Sequence, residues 1–313
     1  MSDAVRAFMV SAFPDYGMAA NETACRGQNY YQLFHHYPQL KALYPSEFEN
    51  TYDPNPLLYW MQANNYVIPV VAVACYLLFC YFGRQIMSKR QAFDLVGPLA
   101  AWNLFLSLFS FYGACRTVPH MLQRILSLSF EETVCQEPFI AFGSGASGLA
   151  TQFFILSKIP ELVDTIFIVI RKKPLIFLHW YHHVTVLLYC WNSYVTESSA
   201  GLYFVSMNYT VHAVMYFYYF LAATKSIPRW FPTPIITLMQ ISQMIVGTFI
   251  VCASMYFYFY GGAKYAPGEC NNQPSNLIAG GIIYASYLYL FVEFAVKRFV
   301  FGVGVPAKKA KAL

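Results

Sequence analysis

The chain has 313 residues, of which 58% are hydrophobic and only 11% are charged, with a formal net charge of +5. Soluble globular domains carry about 25% charged residues, so this composition excludes an ordinary water-exposed surface and is typical of a membrane protein. The basic residues occur in short clusters between apolar runs, which fits membrane orientation and argues against nucleic-acid binding. None of the eight cysteines forms a Cys-x-x-Cys pair, so neither a zinc knuckle nor a dithiol redox motif is indicated.

The first 62 residues are polar and aromatic, and prolines interrupt them at five positions. We therefore predict an irregular segment, 1–62, ahead of the membrane domain. The first 30 residues contain Asp3, Asp15, Glu22 and Arg26 without an unbroken apolar core, which does not match a cleavable signal peptide. The first membrane span is therefore expected to direct the chain to the membrane.

Apolar runs recur along the rest of the chain, each close to the roughly 20 residues that cross a bilayer as a helix. We predict an all-α integral membrane protein with about seven transmembrane helices in a membrane domain, 63–301, and a basic tail, 302–313. The predicted spans are 66–83, 98–115, 143–170, 175–194, 201–223, 232–260 and 276–301.

Lysine and arginine concentrate in the loops after the first, third and fifth spans and in the tail, and such loops stay on the cytosolic side. This distribution predicts a lumenal N-terminus and a cytosolic C-terminus. Asn21 opens an Asn-x-Thr triplet in the predicted lumenal segment and is a glycosylation candidate. Lys309 and Lys311 have the spacing of a cytosolic retrieval signal of the endoplasmic reticulum, although a plain basic tail is the alternative.

Cys135 and Cys270 fall in the two longer loops that this topology places in the lumen. The lumen is oxidising, so a disulfide between them is compatible with the topology. The sequence alone leaves this pairing open.

The third predicted span contains charged residues, which are costly inside a bilayer and are often functional. Helical spacing puts Lys158, Glu161 and Thr165 near one face, with Asp164 beside them. Two interpretations stay open. The group is either a structural ion-pair network near the cytosolic interface or part of a substrate site.

The fourth predicted span carries His179, His182 and His183 at positions i, i+3 and i+4, so three imidazoles share one helical stripe. Each ring carries a donor and an acceptor that must be satisfied away from water, so packing alone does not explain three of them. The neighbouring spans add polar side chains with similar periodicity. These are Asn208, His212, Tyr216 and Tyr219 in the fifth span and Gln240 and Gln243 in the sixth. Together they predict one polar chamber between helices.

Two chemistries compete for such a chamber. Membrane di-iron oxygenases use histidine boxes, but two irons need more ligands than the four histidines within the spans, since His35, His36 and His120 lie elsewhere. In acyl chemistry, an imidazole serves as nucleophile or general base while neighbouring donors stabilise an oxyanion, and four histidines suffice. A seven-span receptor or lipid transporter would share the span count but would not require the histidine stripe.

Four segments occur in the same order as the signatures of the fatty-acid elongase family. They are the run Lys158–Thr165, the H-x-x-H-H box that begins at His179, V-H-A-V-M-Y-F-Y-Y at 211–219, and T-x-x-Q-x-x-Q at 237–243. The resemblance covers roughly residues 58–301. The residues around the two histidine segments are similar to the branch that extends saturated and monounsaturated long-chain acyl-CoA, rather than to polyunsaturated-substrate elongases.

This resemblance implies a 3-oxoacyl-CoA synthase that joins malonyl-CoA to an acyl-CoA at the endoplasmic reticulum, needs no metal or other cofactor, and holds the acyl chain in a tunnel. It also implies a bilayer environment and, as partners, 3-ketoacyl-CoA reductase, 3-hydroxyacyl-CoA dehydratase and enoyl-CoA reductase, with a homodimer as a further option. A silent relative that only binds acyl-CoA is the alternative, and the intact boxes argue against it.

The resemblance also suggests roles for individual residues. We expect His182 or His183, with His212 and beside His179, to perform acyl transfer and base chemistry, while Asn208, Gln240 and Gln243 orient the reacting groups. Expected substrate and CoA contacts are Lys158, Glu161, Asp164, Thr165, Tyr216, Tyr219, Arg171, Lys172, Lys173, Lys225 and Arg229. Cys190 lies seven residues after His183 on about the same face and is an alternative nucleophile, although a packing role fits it better.

Overall fold

The computed structural model describes residues 24–25, 28–29, 46–228, 231–232 and 234–301, which are almost entirely helical. The exception is a pair of two-residue strands, β1 (Ala24–Cys25) and β2 (Gln28–Asn29), which pair antiparallel. Asn21, Arg229 and the tail lysines Lys308, Lys309 and Lys311 lie outside the described residues.

Two short helices precede the membrane domain, α1 (Glu47–Asn50) and α2 (Asn55–Ala63). Their presence differs from the irregular segment that the prolines predicted. Pro56 lies in the first turn of α2, where a missing backbone N–H breaks no hydrogen bond and the fixed φ suits a helix. Ser46 caps α1 by accepting a hydrogen bond of 3.0 Å from the Glu49 backbone N–H.

The remaining helices follow the predicted order. The first half contains α3 (Val67–Leu78), a π-helical stretch (Phe79–Gly83), α4 (Arg84–Ser88), α5 (Val96–Ser127), α6 (Phe130–Cys135), α7 (Pro138–Phe142), α8 (Gly145–Ser157), a 3-10 turn (Pro160–Leu162) and α9 (Val163–Ile170). The second half contains α10 (Phe177–Val195), α11 (Gly201–Ala223), α12 (Pro234–Tyr260), α13 (Pro274–Ala295) and a π-helical end (Val296–Val300).

Four helices in the described part of the chain are long and apolar enough to cross a bilayer. They are Val67–Ser88, Val96–Ser127, Pro234–Tyr260 and Pro274–Val300. Helices α10 and α11 match two other predicted spans in position, but histidine, asparagine and tyrosine side chains lower their apolar content. The two helices that carry the histidines of the predicted chamber are therefore not among the four, whereas α12, which carries Gln240 and Gln243, is.

The third predicted span, 143–170, is broken rather than continuous. Helix α8 ends at Ser157, the 3-10 turn follows at Pro160–Leu162, and α9 begins at Val163. Pro160 has no backbone N–H and its ring clashes with the preceding helical turn, which explains the break. The charged residues of this segment therefore lie at a junction between two helices, where side chains can turn away from a single helical stripe.

Helix α5 is longer than the predicted span 98–115, since it continues to Ser127. Arg116 and Arg124 therefore lie in a helix and not in a loop. Glu49 of α1 accepts hydrogen bonds from Arg116 at 2.7 Å and from the Tyr112 hydroxyl at 2.7 Å. This pairing ties the segment before the membrane domain to the extended part of α5.

The contact between α5 and α11 depends on a glycine. A Cβ added at Gly113 would lie 2.2 Å from the ring of Tyr209, so no larger residue fits without a shift of the ring. The Tyr209 hydroxyl donates to the Ala150 carbonyl at 2.8 Å, and its ring meets Phe154 edge-on at 5.1 Å. Tyr209 thus joins α5, α8 and α11 in one core.

A disulfide joins Cys135 at the end of α6 to Cys270 in the segment between α12 and α13. The same segment is held by Glu131, whose carboxylate accepts hydrogen bonds from three successive backbone N–H groups, those of residues 263–265. The two connections fix the ends of α5 and α12 relative to each other.

Candidate active site

Most of the predicted site residues line one cavity of about 430 Å³. Its lining residues come from α5, the helix break, α9, α10, α11, α12 and α13. All seven residues predicted as catalytic line it, namely His179, His182, His183, Asn208, His212, Gln240 and Gln243. Of the predicted substrate contacts, Glu161, Asp164, Arg171, Lys173, Tyr216 and Tyr219 also line it.

The three histidines of α10 lie close together because their spacing places them on one face. The ring centroids of His179 and His183 are 4.5 Å apart, and those of His182 and His183 are 5.8 Å apart. His179 Nε2 shares a hydrogen bond of 2.9 Å with the Thr165 hydroxyl, which in turn contacts the Tyr76 hydroxyl at 2.9 Å. Thr165 therefore lies behind the histidines and orients one of them.

His182 differs from the other histidines of the box. Its Nδ1 is buried and has no hydrogen-bond partner among the described residues. Its ring contacts Tyr287 of α13 at 5.0 Å between centroids. Buried polar atoms are nearly always paired in folded proteins, so an orphaned ring nitrogen beside a cavity is suited to a reacting molecule.

An ion pair occupies the helix break. Lys158 Nζ lies 2.8 Å and 3.0 Å from the two carboxylate oxygens of Glu161, and it contacts Asn208 Oδ1 at 3.4 Å. Only 2% of the Lys158 side chain is exposed, and its ammonium lies 3.9 Å from the Phe154 ring centroid. Lys158 itself does not line the cavity, whereas its partners Glu161 and Asn208 do.

The carboxylate of Asp164 is hydrogen-bonded to side chains of two other helices and not to its charged neighbours in sequence. Its Oδ1 accepts a hydrogen bond from Trp102 Nε1 at 2.6 Å, and its Oδ2 accepts one from the Tyr216 hydroxyl at 2.7 Å. Tyr216 also meets the His212 ring edge-on at 5.3 Å. Neutral donors from two helices therefore hold this carboxylate in the cavity wall.

The glutamines of α12 line the same cavity as the histidine box. Gln240 Nε2 lies 3.2 Å from the sulfur of Met215, a weak acceptor, so its amide is lightly restrained. Gln243 is buried and also lines the cavity. Both amides are therefore available to hydrogen-bond a substrate carbonyl or phosphate.

The predicted basic contacts are divided between two places. Arg171 and Lys173 line the cavity, but Lys172 donates to the Ser88 and Arg90 carbonyls and holds the loop after α4. Lys225 is exposed in the turn after α11 and does not line the cavity.

Several site residues were missed from the sequence. Asn103 of α5 is buried and lines the cavity, Trp102 binds Asp164, and Tyr76 binds Thr165. An amide inside an apolar span was a usable signal for Asn103. Trp102 and Tyr76 gave no such signal, because aromatic residues are frequent throughout this chain. Phe291 and Phe294 of α13 complete the apolar wall.

Among the residues that the structure describes, no group of three or more His, Cys, Asp or Glu side chains has an arrangement that could hold a metal ion. Cys190 packs against the core cluster that contains Met61 and Trp191 and does not line the cavity.

Comparison with known proteins agrees with the motif order. The family model described as "ELO: GNS1/SUR4 family" matches residues 61–307, which is most of the chain. The chain belongs to this family. The fatty-acid elongase resemblance of the four sequence segments is therefore confirmed.

Relatives in animals and protozoa align over most of their own length. "Very long chain fatty acid elongase 6" of Gallus gallus is 42% identical over 264 residues, which cover 84% of this chain and 95% of the relative. The Homo sapiens protein of the same name is 40% identical over 255 residues, covering 81% and 92%. "Fatty acid elongase 3" of Trypanosoma brucei brucei is 36% identical over 281 residues, covering 82% and 90%.

Family membership and the four long apolar helices together make this chain a helical, multi-pass membrane protein. The chamber predicted from histidine and glutamine periodicity is the cavity of about 430 Å³ between its helices.

Proposed function

We propose that the chain is a fatty-acid elongase, a 3-oxoacyl-CoA synthase that condenses long-chain saturated or monounsaturated acyl-CoA with malonyl-CoA. The observation that carries this proposal is the convergence of four histidines and four amides on one largely apolar cavity that also receives Arg171 and Lys173. The relatives named fatty acid elongases support the same activity.

The reaction breaks a carbon–carbon and a carbon–sulfur bond and forms a carbon–carbon and a sulfur–hydrogen bond. Malonyl-CoA loses its free carboxylate as carbon dioxide, and the electron pair of that carbon–carbon bond remains as a thioester enolate. The CoA thiolate leaves the acyl carbonyl either on attack by an imidazole, from which the acyl group passes to the enolate carbon, or on direct attack by the enolate carbon. One proton from solution converts the thiolate to free CoA. The products are 3-oxoacyl-CoA, carbon dioxide and CoA, so the balance requires no oxidant or reductant, and we propose no cofactor.

The cavity residues fit the two demands of this reaction. The imidazoles of His182 and His183 are the groups that can accept an acyl group or move a proton, since both line the cavity and His182 Nδ1 is unpaired among the described residues. The amides of Gln240 and Gln243 can donate to the enolate oxygen once bound substrate has displaced water from the cavity. Exclusion of water also protects the thioester from hydrolysis.

In this proposal the two ends of the substrate bind to different parts of the cavity, one basic and one apolar. CoA carries phosphates, which Arg171 and Lys173 at the cavity wall can bind. Lys172, Lys225 and Arg229 stay proposed CoA contacts from the sequence alone. The acyl chain occupies the apolar region and runs away from this basic end in a tunnel between the helices.

The proposed topology has seven spans. They are the four long apolar helices, α10, α11 and the broken α8–α9 segment. The N-terminus is lumenal and the C-terminus cytosolic, as the positions of lysine and arginine predict. The endoplasmic reticulum is the proposed location, with Asn21 as a glycosylation site and Lys309 and Lys311 as a retrieval signal. A reductase for the 3-oxo group, a dehydratase and an enoyl reductase are the proposed partners, and a homodimer stays a proposal.

Condensation by the purified full-length protein tests this function. The protein in nanodiscs is given palmitoyl-CoA and malonyl-CoA labelled in its free carboxyl, and released carbon dioxide, free CoA and 3-oxoacyl-CoA are measured together. We expect equal amounts of the three products, each dependent on acyl-CoA. Carbon dioxide release without acyl-CoA, or no 3-oxoacyl-CoA across a panel of saturated and unsaturated chain lengths, would contradict the proposal.

A further inference from the structure

His212 is connected to the buried ion pair at the helix break through a single amide. Lys158 Nζ contacts Asn208 Oδ1 at 3.4 Å, and Asn208 Nδ2 lies 3.2 Å from His212 Nε2. Asn208 and His212 are four residues apart on α11, so they share one face of the helix. Asn208 is 8% exposed, so water has little access to this connection.

The hydrogen-bonding capacities of the three groups fix the direction of both contacts. An ammonium has three donors and no acceptor, so only the oxygen of Asn208 can face Lys158. The amide nitrogen of Asn208, a donor, must then face His212. Turning the amide over would bring two donors together beside a positive charge, which is unfavourable in a buried site. Glu161 holds the ammonium in place at 2.8 Å and 3.0 Å.

His212 Nε2 must therefore accept a hydrogen bond, and an accepting ring nitrogen carries no proton. In a neutral imidazole the other nitrogen, Nδ1, is then the protonated one. His212 lines the cavity, and its Nε2 is already engaged by Asn208. The nitrogen that remains for a substrate is thus an N–H group, which donates a hydrogen bond and cannot take up a proton.

We propose that Lys158 and Asn208 are positioning residues that hold His212 in the tautomer with a bare Nε2 and a protonated Nδ1. His212 then donates from Nδ1 to the oxygen of the thioester or of its enolate. This assignment rests on the proposed condensation and changes the role expected for His212, from base to oxyanion donor. The base and nucleophile roles are assigned to His182 and His183, which line the cavity, because His182 Nδ1 has no hydrogen-bond partner among the described residues.

Nitrogen-15 spectra of the resting protein test the tautomer without any substrate. The full-length protein is labelled at histidine and placed in nanodiscs, and the His212 signals are assigned by their loss in His212→Gln. We expect a protonated Nδ1 and a bare Nε2. The Asn208→Asp variant keeps an oxygen toward Lys158 but replaces the donor with an acceptor, so Nε2 should gain a proton.

Two further variants separate positioning from general stability. Lys158→Arg keeps a cation that only donates, so the wild-type tautomer should persist. Ser157→Ala removes a 2.8 Å hydrogen bond to Glu161 without touching Asn208, and it should also leave the His212 spectrum unchanged. A protonated Nε2 in the wild type, or identical His212 spectra in the wild type and Asn208→Asp, would overturn the proposal.

Kinetics then tests the donor role. Loss of one donor to an oxyanion lowers kcat about 10²- to 10³-fold, and we expect Asn208→Asp to fall in this range with KM for acyl-CoA changed less than about threefold. A large rise in KM with unchanged kcat would overturn the donor role. If the predicted tautomer is observed but no condensation product forms, the positioning stands and the proposed function fails. If condensation product forms but His212 has the other tautomer, the proposed function stands and the positioning fails.

Discussion

The Tyr216 hydroxyl donates a hydrogen bond of 2.7 Å to Asp164 and so connects α11 to the segment at the helix break. Trp102 of α5 donates to the other oxygen of the same carboxylate at 2.6 Å. One carboxylate thus fixes three parts of the cavity wall. Its partners are neutral, which sets it apart from the ion pair between Lys158 and Glu161 a few residues earlier.

Asp164→Asn tests this connection. Asparagine offers one acceptor and one donor, so either Trp102 or Tyr216 must face an amide N–H group. We expect a loss of about 1–3 kcal/mol in the free energy of unfolding, because one buried donor is left unpaired. Thermal unfolding in a fixed detergent measures it. The exposed carboxylate of Asp94 gives a matched control, since Asp94→Asn should change stability by less than about 0.5 kcal/mol. Equal melting temperatures for the two variants would contradict the account.

Gly247 of α12 and Gly281 of α13 offer a matched test of the contact between these two helices. A Cβ at Gly247 would lie 2.1 Å from the Tyr284 ring, whereas the nearest atom to a Cβ at Gly281 is the sulfur of Met255 at 3.7 Å. Gly247→Ala should destabilise the protein by about 1–3 kcal/mol through overpacking. Gly281→Ala should be neutral or stabilising by up to about 1 kcal/mol, because alanine favours the helix. The ranking of the two melting temperatures is the readout, and the opposite ranking would count against this helix contact.

The disulfide between Cys135 and Cys270 predicts a selective effect of cysteine substitution. Removing a native disulfide costs about 2–5 kcal/mol in small domains, so Cys135→Ser with Cys270→Ser should lower the melting temperature clearly. Cys252 is exposed and unpaired, and Cys252→Ser should melt like the wild type. Maleimide labelling of the denatured wild type should detect two additional thiols after reduction. An unchanged thiol count would contradict the disulfide.

The capping box at the start of α6 makes stability depend on pH. Lys264 lies 2.7 Å from Glu132 and, with Ser129, lowers the pKa of this carboxyl to about 2. A carboxyl whose pKa is lowered on folding stabilises the protein above its unfolded pKa, and this contribution is lost as the pH falls through the folded pKa. Glu132→Gln should therefore lower the melting temperature at pH 6 and have little effect near pH 2.

Lys264→Met provides the matched background for that experiment. Without the cation the charge on Glu132 contributes less, so the effect of Glu132→Gln at pH 6 should shrink when both residues are changed. Equal effects of Glu132→Gln in the two backgrounds would show that Lys264 does not stabilise the charge. The pair is partly exposed, with 51% of the Lys264 side chain accessible, so added salt should reduce the difference as well.

Local periodicity predicted the part of the site that lies along single helices. His179, His182 and His183 share a stripe at i, i+3 and i+4, and α10 presents all three to the cavity. Gln240 and Gln243 follow the same rule on α12. The apolar runs also placed the starts of α12 and α13 within two residues, and each helix begins at a proline.

Contacts between distant segments could not be predicted in this way. Trp102 and Tyr216 approach Asp164 from helices far apart in sequence, and no periodicity encodes such a meeting. The continuous span predicted over 143–170 did not account for Pro160, which breaks the helix between Lys158 and Asp164. The length of α5 was underestimated because its second half carries arginine and histidine, which are stabilised by neighbouring segments.

If the histidines of this cavity carry out condensation, replacing His182 or His212 must suppress product formation. Purified wild type, His182→Ala and His212→Ala, matched for folding by their melting temperatures, are given palmitoyl-CoA and labelled malonyl-CoA, and labelled 3-oxoacyl-CoA is measured. We expect product from the wild type and at least about a 10²-fold loss in each variant. Product formation at the wild-type rate by both folded variants would contradict the claim.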